Sequence, residues 1–273
     1  MLLLPRGRTL ELGSPAVVMG IVNATPDSFS DGGAFATAKA AAEHGVALAA
    51  EGAAILDVGG ESTRPGATPV SYDEEAARVL PVVAALRGRV AIPISVDTMK
   101  ARLAAEALAA GASIVNDVWG FQGDPEMARV VADHGAAAVL MHNRVGLDPA
   151  LDILSEVRAF LSRSIDLALR AGVREASLIV DPGFGFGKTP AQNLTLIRRL
   201  RDVAGLGFPV LLGVSRKSTI GGLTGRKLPA DRLVGSLAAG LLGVASGAAI
   251  LRVHDVAPHV EALRVADAIA TSP

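Results

Sequence analysis

Cysteine is absent from this chain of 273 residues. That excludes disulfide staples, thiolate zinc sites, iron–sulfur clusters and a cysteine nucleophile. Aromatic residues are scarce at 3%, with one tryptophan and one tyrosine, so there is no row of stacking platforms for nucleic-acid bases. Neither sign of charge dominates, because 26 lysines and arginines stand against 27 aspartates and glutamates. Such a balance gives no field for steering nucleic acid or an anionic membrane, although a few placed cations suffice for a small anion. The N-terminal MLLLPRGRTL breaks its apolar start at Pro5, which argues against a secretory leader. With no cysteine to oxidise, a cytoplasmic protein that engages neither nucleic acid nor membrane is the expectation.

What the chain has in plenty is apolar residues, at 50%, and glycine, at 30 residues. That composition excludes intrinsic disorder. The uncharged run at 233–251 carries Gly243 and Gly247 at the spacing of a membrane helix pair. Ser236, Ser246 and its glycines dilute it, and Ser246–Gly247 reads as a turn, so a buried helix followed by a strand is expected.

Short Val- and Ile-rich runs recur at 17–23, 53–60, 92–98, 113–118, 137–143, 177–183, 209–215 and 248–255. They lack clean two-residue alternation, as strands buried on both faces do. Segments of helical spacing lie between them at 38–50, 72–88, 100–110, 125–134, 150–171, 190–204, 231–245 and 257–269. Ser71, Asp124–Pro125 and Thr189–Pro190 read as helix starts, and Gly111, Gly135 and Gly172 as stops. Eight strand–helix units with no linker predict an α/β fold, a single-domain (β/α)8 TIM barrel over 1–273 with a short N-terminal extension at about 1–15. A doubly wound open sheet is the alternative.

In such a barrel the chemistry sits at the C-terminal ends of the strands. Asp97, Asn116, Asp181 and Lys217 there offer two carboxylates, an amide and an ammonium, a set suited to a flat heterocycle with N–H donors and carbonyl or ring-nitrogen acceptors. Asn23, Thr63, Arg64, Arg252 and His254 form a second set that reads as an oxyanion or phosphate clamp, with Asn23 able to offer oxygen to Mg2+. The loops 24–35 and 61–71, rich in Gly, Pro, Ser and Thr, read as lids over the barrel mouth. GFGFGKT at 183–189 imitates a nucleotide-binding loop but is one residue short between its outer glycines. Its glycines instead allow close backbone approach to a flat ligand, with Phe186 as an apolar surface. His44, His134 and His259 read as ordinary surface histidines, and no zinc pattern is present.

The strings GIVNATPDSFSDGG, DVGGESTRPG, SVDT, NDV, DPGFGFGK, GVSRKS and RVHD, in this order across about 17–256, closely resemble the dihydropteroate synthases. The resemblance implies a (β/α)8 transferase of folate biosynthesis that joins 6-hydroxymethyl-7,8-dihydropterin diphosphate to p-aminobenzoate, uses Mg2+, forms a homodimer and is a sulfonamide target. It implies catalytic roles for Arg64, Lys217, Arg252 and His254. Pterin would be held by Thr63, Asp97, Asn116, Met141, Asp181, Phe186 and Lys217. Diphosphate would be held by Asn23, Arg64, Arg252 and His254, and the metal by Asn23. The p-aminobenzoate surface would comprise Phe29, Thr63, Pro65, Lys217 and Ser218. Ala24 and Asn143–Arg144 depart from the family pattern, so neither Asn143 nor Arg144 is given a role. Two alternatives remain at this point: a catalytically silent pterin-binding paralogue, and a barrel of the kind that moves methyl groups from methyltetrahydrofolate to a corrinoid. The latter has no need of a diphosphate clamp, so SFSDGG, ESTRPG and RVHD argue against it.

Overall fold

Along most of the buried strands consecutive residues go to different cores, and this alternation organises the molecule. The computed structural model describes residues 1–13, 15–25, 33–62 and 68–272, with backbone alone for 33–37. After a small hairpin, β1 (Leu2–Leu3) and β2 (Thr9–Leu10), come eight parallel strands: β3 (Val17–Asn23), β4 (Ile55–Gly59), β5 (Ile94–Asp97), β6 (Ile114–Asp117), β7 (Ala137–Met141), β8 (Leu178–Asp181), β9 (Val210–Leu212) and β10 (Ala248–Val253). They close into a barrel in sequence order, with β10 pairing with both β3 and β9. The expected TIM barrel is the observed fold.

Val18, Leu56, Val96, Val115, Ala138, Val180 and Leu251 join the core beneath the outer helices, whereas Met19, Ile55, Ile114, Val139, Ile179, Leu211 and Ile250 fill a separate inner core. A strand presents alternate residues to alternate faces. Two positions further along the inner face, apolar side chains give way to Asp57, Asn116, Asp181 and Arg252. The inner core is closed at the opposite end by the hairpin, whose Leu2 and Leu4 are fully buried against it. The N-terminal extension is thus a plug for the barrel floor.

The helices are α1 (Gly33–Ala50), α2 (Tyr72–Leu86), α3 (Ala101–Ala110), α4 (Met127–Asp133), α5 (Ile153–Arg170), α6 (Pro190–Arg198), α7 (Leu200–Ala204), α8 (Ser218–Thr224), α9 (Leu233–Ala245) and α10 (Val256–Ala270). Ser71 caps α2 through the Glu74 N–H, and Thr189 forms a reciprocal capping box with Gln192 on α6. Several expectations need correction. Helix α1 starts at Gly33, inside the segment read as a loop. The segment 190–204 is two helices, broken at Arg199. Asp124 precedes α4 as expected, with Oδ1 accepting the Glu126 N–H at 3.0 Å, but its Oδ2 also accepts the Ala101 N–H at the start of α3. His259 is buried, not a surface histidine, and pairs with the Asp255 carbonyl. Residues 233–251 form α9 and then β10, and among the described residues no single helix is long and apolar enough to cross a membrane.

Candidate active site

A cavity at the C-terminal mouth of the barrel is lined by Asp97, Asn116, Met141, Asp181, Phe186, Lys217, Arg252 and His254, over a floor that includes Ile21 and Phe184. Eight expected site residues from six strand ends therefore meet in one place. Asn23 ends β3 but does not line this cavity, and Ser218 opens α8 beside Lys217 without lining it. Phe29, Thr63, Arg64 and Pro65 lie outside the described residues.

Of the second set read from the sequence, Arg252 and His254 share this cavity with the first set. Arg252 is held by two carboxylates: its Nε donates to Asp57 Oδ2 at 2.6 Å and its other guanidinium nitrogen to Asp97 Oδ2 at 2.7 Å. Desolvation opposes its charge, but the Asp57 and Asp97 carboxylates more than offset that and hold it protonated. Asn116 donates from its amide to Asp57 at 3.0 Å, which fixes the amide orientation and leaves its oxygen as an acceptor. Asp57, fully buried in mid-strand, is the hub that the sequence reading missed. The available signal was a lone carboxylate inside the apolar run AAILDVGG.

The carboxylates are kept poor in solvent. Burial pushes Asp97 up to about 7 against the pull of Arg252, and pushes Asp181 up to about 6 against the Gly183 N–H. Asp97 Oδ1 is buried and has no hydrogen-bond partner among the described residues. A buried acceptor left in that state is costly unless a ligand donor meets it. Asp181 Oδ1 accepts the Gly183 N–H at 2.7 Å, which aligns its carboxylate. Asp117, next to Asn116, points to the opposite face and caps the Trp119 and Phe121 N–H groups.

On the far wall, Lys217 Nζ lies 4.1 Å from the centre of the Phe186 ring, a cation–π contact. Ser215 Oγ accepts the His254 backbone N–H and sits 3.0 Å from Nδ1. The chemistry available is recognition of a planar donor-rich heterocycle by Asp97, Asn116, Asp181 and Lys217, flanked by the cationic Arg252. The amide of Asn23 suits a hard cation, and no group of three His, Asp or Glu side chains among the described residues could hold a metal. A single neutral oxygen fits Mg2+ that is held chiefly by a ligand's phosphates.

The family model described as pterin binding enzyme matches residues 19–254. A dihydropteroate synthase from Synechocystis is 45% identical over 273 residues, covering 97% of this chain and 94% of that one. Among solved structures, the Xanthomonas albilineans dihydropteroate synthase with 4-aminobenzoic acid is 50% identical with a TM-score of 0.91, covering 94% of each chain. A structure of that organism's enzyme in complex with 7,8-dihydropteroate is 47% identical with a TM-score of 0.88, covering 94% of this chain and 95% of the other.

Proposed function

The chain belongs to the pterin binding enzyme family and within it to the dihydropteroate synthases, and from that premise we propose how its residues share the reaction. The enzyme is a transferase that joins the pterinylmethyl group of 6-hydroxymethyl-7,8-dihydropterin diphosphate to the amine of p-aminobenzoate. The C–O bond to diphosphate breaks, the C–N bond to the arylamine forms, and the new nitrogen centre gives up one proton. The products are 7,8-dihydropteroate and diphosphate.

The observation that carries this reading is the convergence of Asp97, Asn116, Asp181 and Lys217 on one cavity beside Arg252. The two carboxylates accept the ring N–H groups, Asn116 and Lys217 meet ring acceptors, and Met141 and Phe186 cover the ring faces. Carboxylates held against the ring also stabilise positive charge that grows on it as diphosphate departs, which favours a dissociative, SN1-like path. Arg252 and His254, together with Arg64, neutralise the departing anion. Asn23 would hold Mg2+ with the diphosphate, and the ion when bound supplies further charge neutralisation to the leaving group. Thr63 borders both substrates, and Phe29, Pro65, Lys217 and Ser218 receive p-aminobenzoate. The arylamine is a weak nucleophile that loses its proton readily after attack, so no strong base is required.

A homodimer through the C-terminal helices fits the exposure of Leu223 on α8 and of Val234 and Leu242 on the adjacent α9. A cytoplasmic setting fits a chain without cysteine. A coupled assay of diphosphate release, with and without p-aminobenzoate, tests the reading: release that depends on both substrates is expected, and none at any enzyme concentration overturns it.

A further inference from the structure

Lys188 is a lysine with almost no access to water, at 5% exposure, and it does not line the active-site cavity. Its Nζ has three partners: Gly183 O at 2.7 Å, His142 Nδ1 at 2.8 Å and Phe186 O at 2.9 Å. An ammonium has three N–H groups, so every one is used. Burial, aided by Lys217 and Arg144 and opposed by Asp181, pushes this lysine down to about 7. Burial and the neighbouring Lys188 push His142 down to about 3, so its ring is neutral and Nδ1 can accept. The ring is fixed in turn by an edge contact with Phe160, with centroids 4.9 Å apart, and by its backbone N–H, which donates to Asp181 O at 2.9 Å.

The loop held in this way runs through Gly183, Gly185 and Gly187, all at positive φ. A Cβ at Gly183 would overlap the His142 carbonyl oxygen, and one at Gly187 the Arg144 carbonyl oxygen. The loop therefore lies directly on the segment that follows β7. Asn193 of α6 holds its other side, accepting the Gly185 N–H at 2.8 Å and donating to Thr219 Oγ1 at 3.0 Å. The loop starts at Asp181, whose carboxylate takes the Gly183 N–H, and it carries Phe186 to Lys217.

We propose that Lys188 is a positioning residue of the pterin site: its ammonium fastens the loop 183–187 to His142 and so sets Asp181 and the Phe186 ring in place. A methionine there would take a donor from two carbonyls and an imidazole nitrogen, leaving the Gly183 carbonyl with only the Phe186 N–H at 3.1 Å. An arginine is no substitute, because a flat fork cannot serve three acceptors arranged around one point.

The inference rests on the pterin reading, and calorimetry with 6-hydroxymethylpterin separates the two. If the unaltered protein does not bind the pterin, the functional reading fails. If it binds and a folded Lys188→Met binds equally well, only the role of Lys188 is overturned. The expected result is a Kd for the pterin at least tenfold weaker in Lys188→Met, with the KM for p-aminobenzoate at saturating pterin within twofold of the unaltered enzyme. Lys188→Gln keeps two N–H donors and tests the same point if the methionine variant does not fold; its loss is expected to be smaller and equally confined to the pterin. Equal weakening towards both substrates overturns the proposal, since a general effect on the fold would do that. The Phe186→Leu background adds a second check: there the Lys188→Met loss should shrink to threefold or less. A full tenfold loss in that background would show that Lys188 does not act through Phe186.

Discussion

Arg252 Nε donates to Asp57 Oδ2 at 2.6 Å, tying the last barrel strand to the second across 195 residues of chain. Asp57 is fully buried and Arg252 reaches the cavity, so the pair fixes a cation on the cavity wall. Asp97 grips the same guanidinium, so its direction is set by two carboxylates from neighbouring strands.

Arg252→Ala is therefore expected to act on the chemistry and on stability together. Removing one preorganised donor to a developing anion costs about 10²–10³ in turnover. Steady-state kcat/KM near that of the unaltered enzyme would remove Arg252 from the leaving-group role. Asp57→Ala leaves the guanidinium with one of its two carboxylates. Breaking a buried ion pair costs about 3–5 kcal/mol, with the surviving Asp97 contact favouring the lower end. Urea unfolding of the ligand-free protein measures that loss.

Asp181→Ala should lose pterin binding by at least about 100-fold, because charge-assisted hydrogen bonds contribute about 1.5–3 kcal/mol each and a carboxylate can make two. Asp181→Asn keeps the shape and one acceptor, so it should bind between the two. Calorimetry with a pterin ranks the three proteins, and unchanged affinity in the alanine variant would exclude Asp181 from the pocket.

The raised carboxylates predict a proton signature. Without ligand Asp97 titrates at about 7 and Asp181 at about 6, so near pH 6 both carry a substantial share of a proton. Ring N–H donors favour the ionised forms and draw these values down, so binding must release protons. Roughly one proton per site is expected near pH 6 and almost none at pH 8.5, where both groups are already ionised. Calorimetry at one pH in buffers of different ionisation enthalpy measures the number. Uptake of protons at pH 6 would contradict the assignment.

How much of this could be read in advance depended on where each residue stands. Asp97 and Asp181 close apolar strands, and a charge at that place in a barrel points to the mouth. Asp57 stands two residues before the end of β4, and its partners Asn116 and Arg252 lie 59 and 195 residues away. Only closure of the barrel brings them together. Lys188 was hidden by its own motif, since the imitation of a nucleotide loop drew attention to the glycines and Phe186. Its partner His142 sits on the opposite parity from Met141, facing the helices, so no inner-face pattern connected them. The break at Arg199 and the short α8 depend on tertiary packing that helical spacing does not encode.

Gly183→Ala tests the close approach of the loop to β7. Its φ is +69, and a Cβ would overlap the His142 carbonyl. Either effect alone is unfavourable for an L side chain. The variant should be less stable and bind pterin more weakly, whereas Gly172→Ala, also at positive φ but in open space after α5, should lose stability only. Thermal unfolding with parallel pterin titrations separates the two positions. Equal pterin affinity in both variants would disconnect the loop from the site.

The hairpin that plugs the barrel floor offers the opposite separation. Leu4 is 1% exposed and packs with Met19, Ile114 and Ile179 in the inner core, at the end of the barrel away from the cavity. Leu4→Ala removes most of a buried aliphatic side chain, for a cost of about 2–5 kcal/mol that depends on how far the floor can collapse. Strand ends at the mouth of a barrel carry chemistry, while its floor carries stability. The midpoint of urea unfolding should therefore fall while kcat/KM, measured well below the new midpoint, stays within about twofold. A loss of turnover as large as that of Arg252→Ala would mean that the inner core transmits strain from floor to mouth, and that the layers between Leu4 and Asp57 act as one unit.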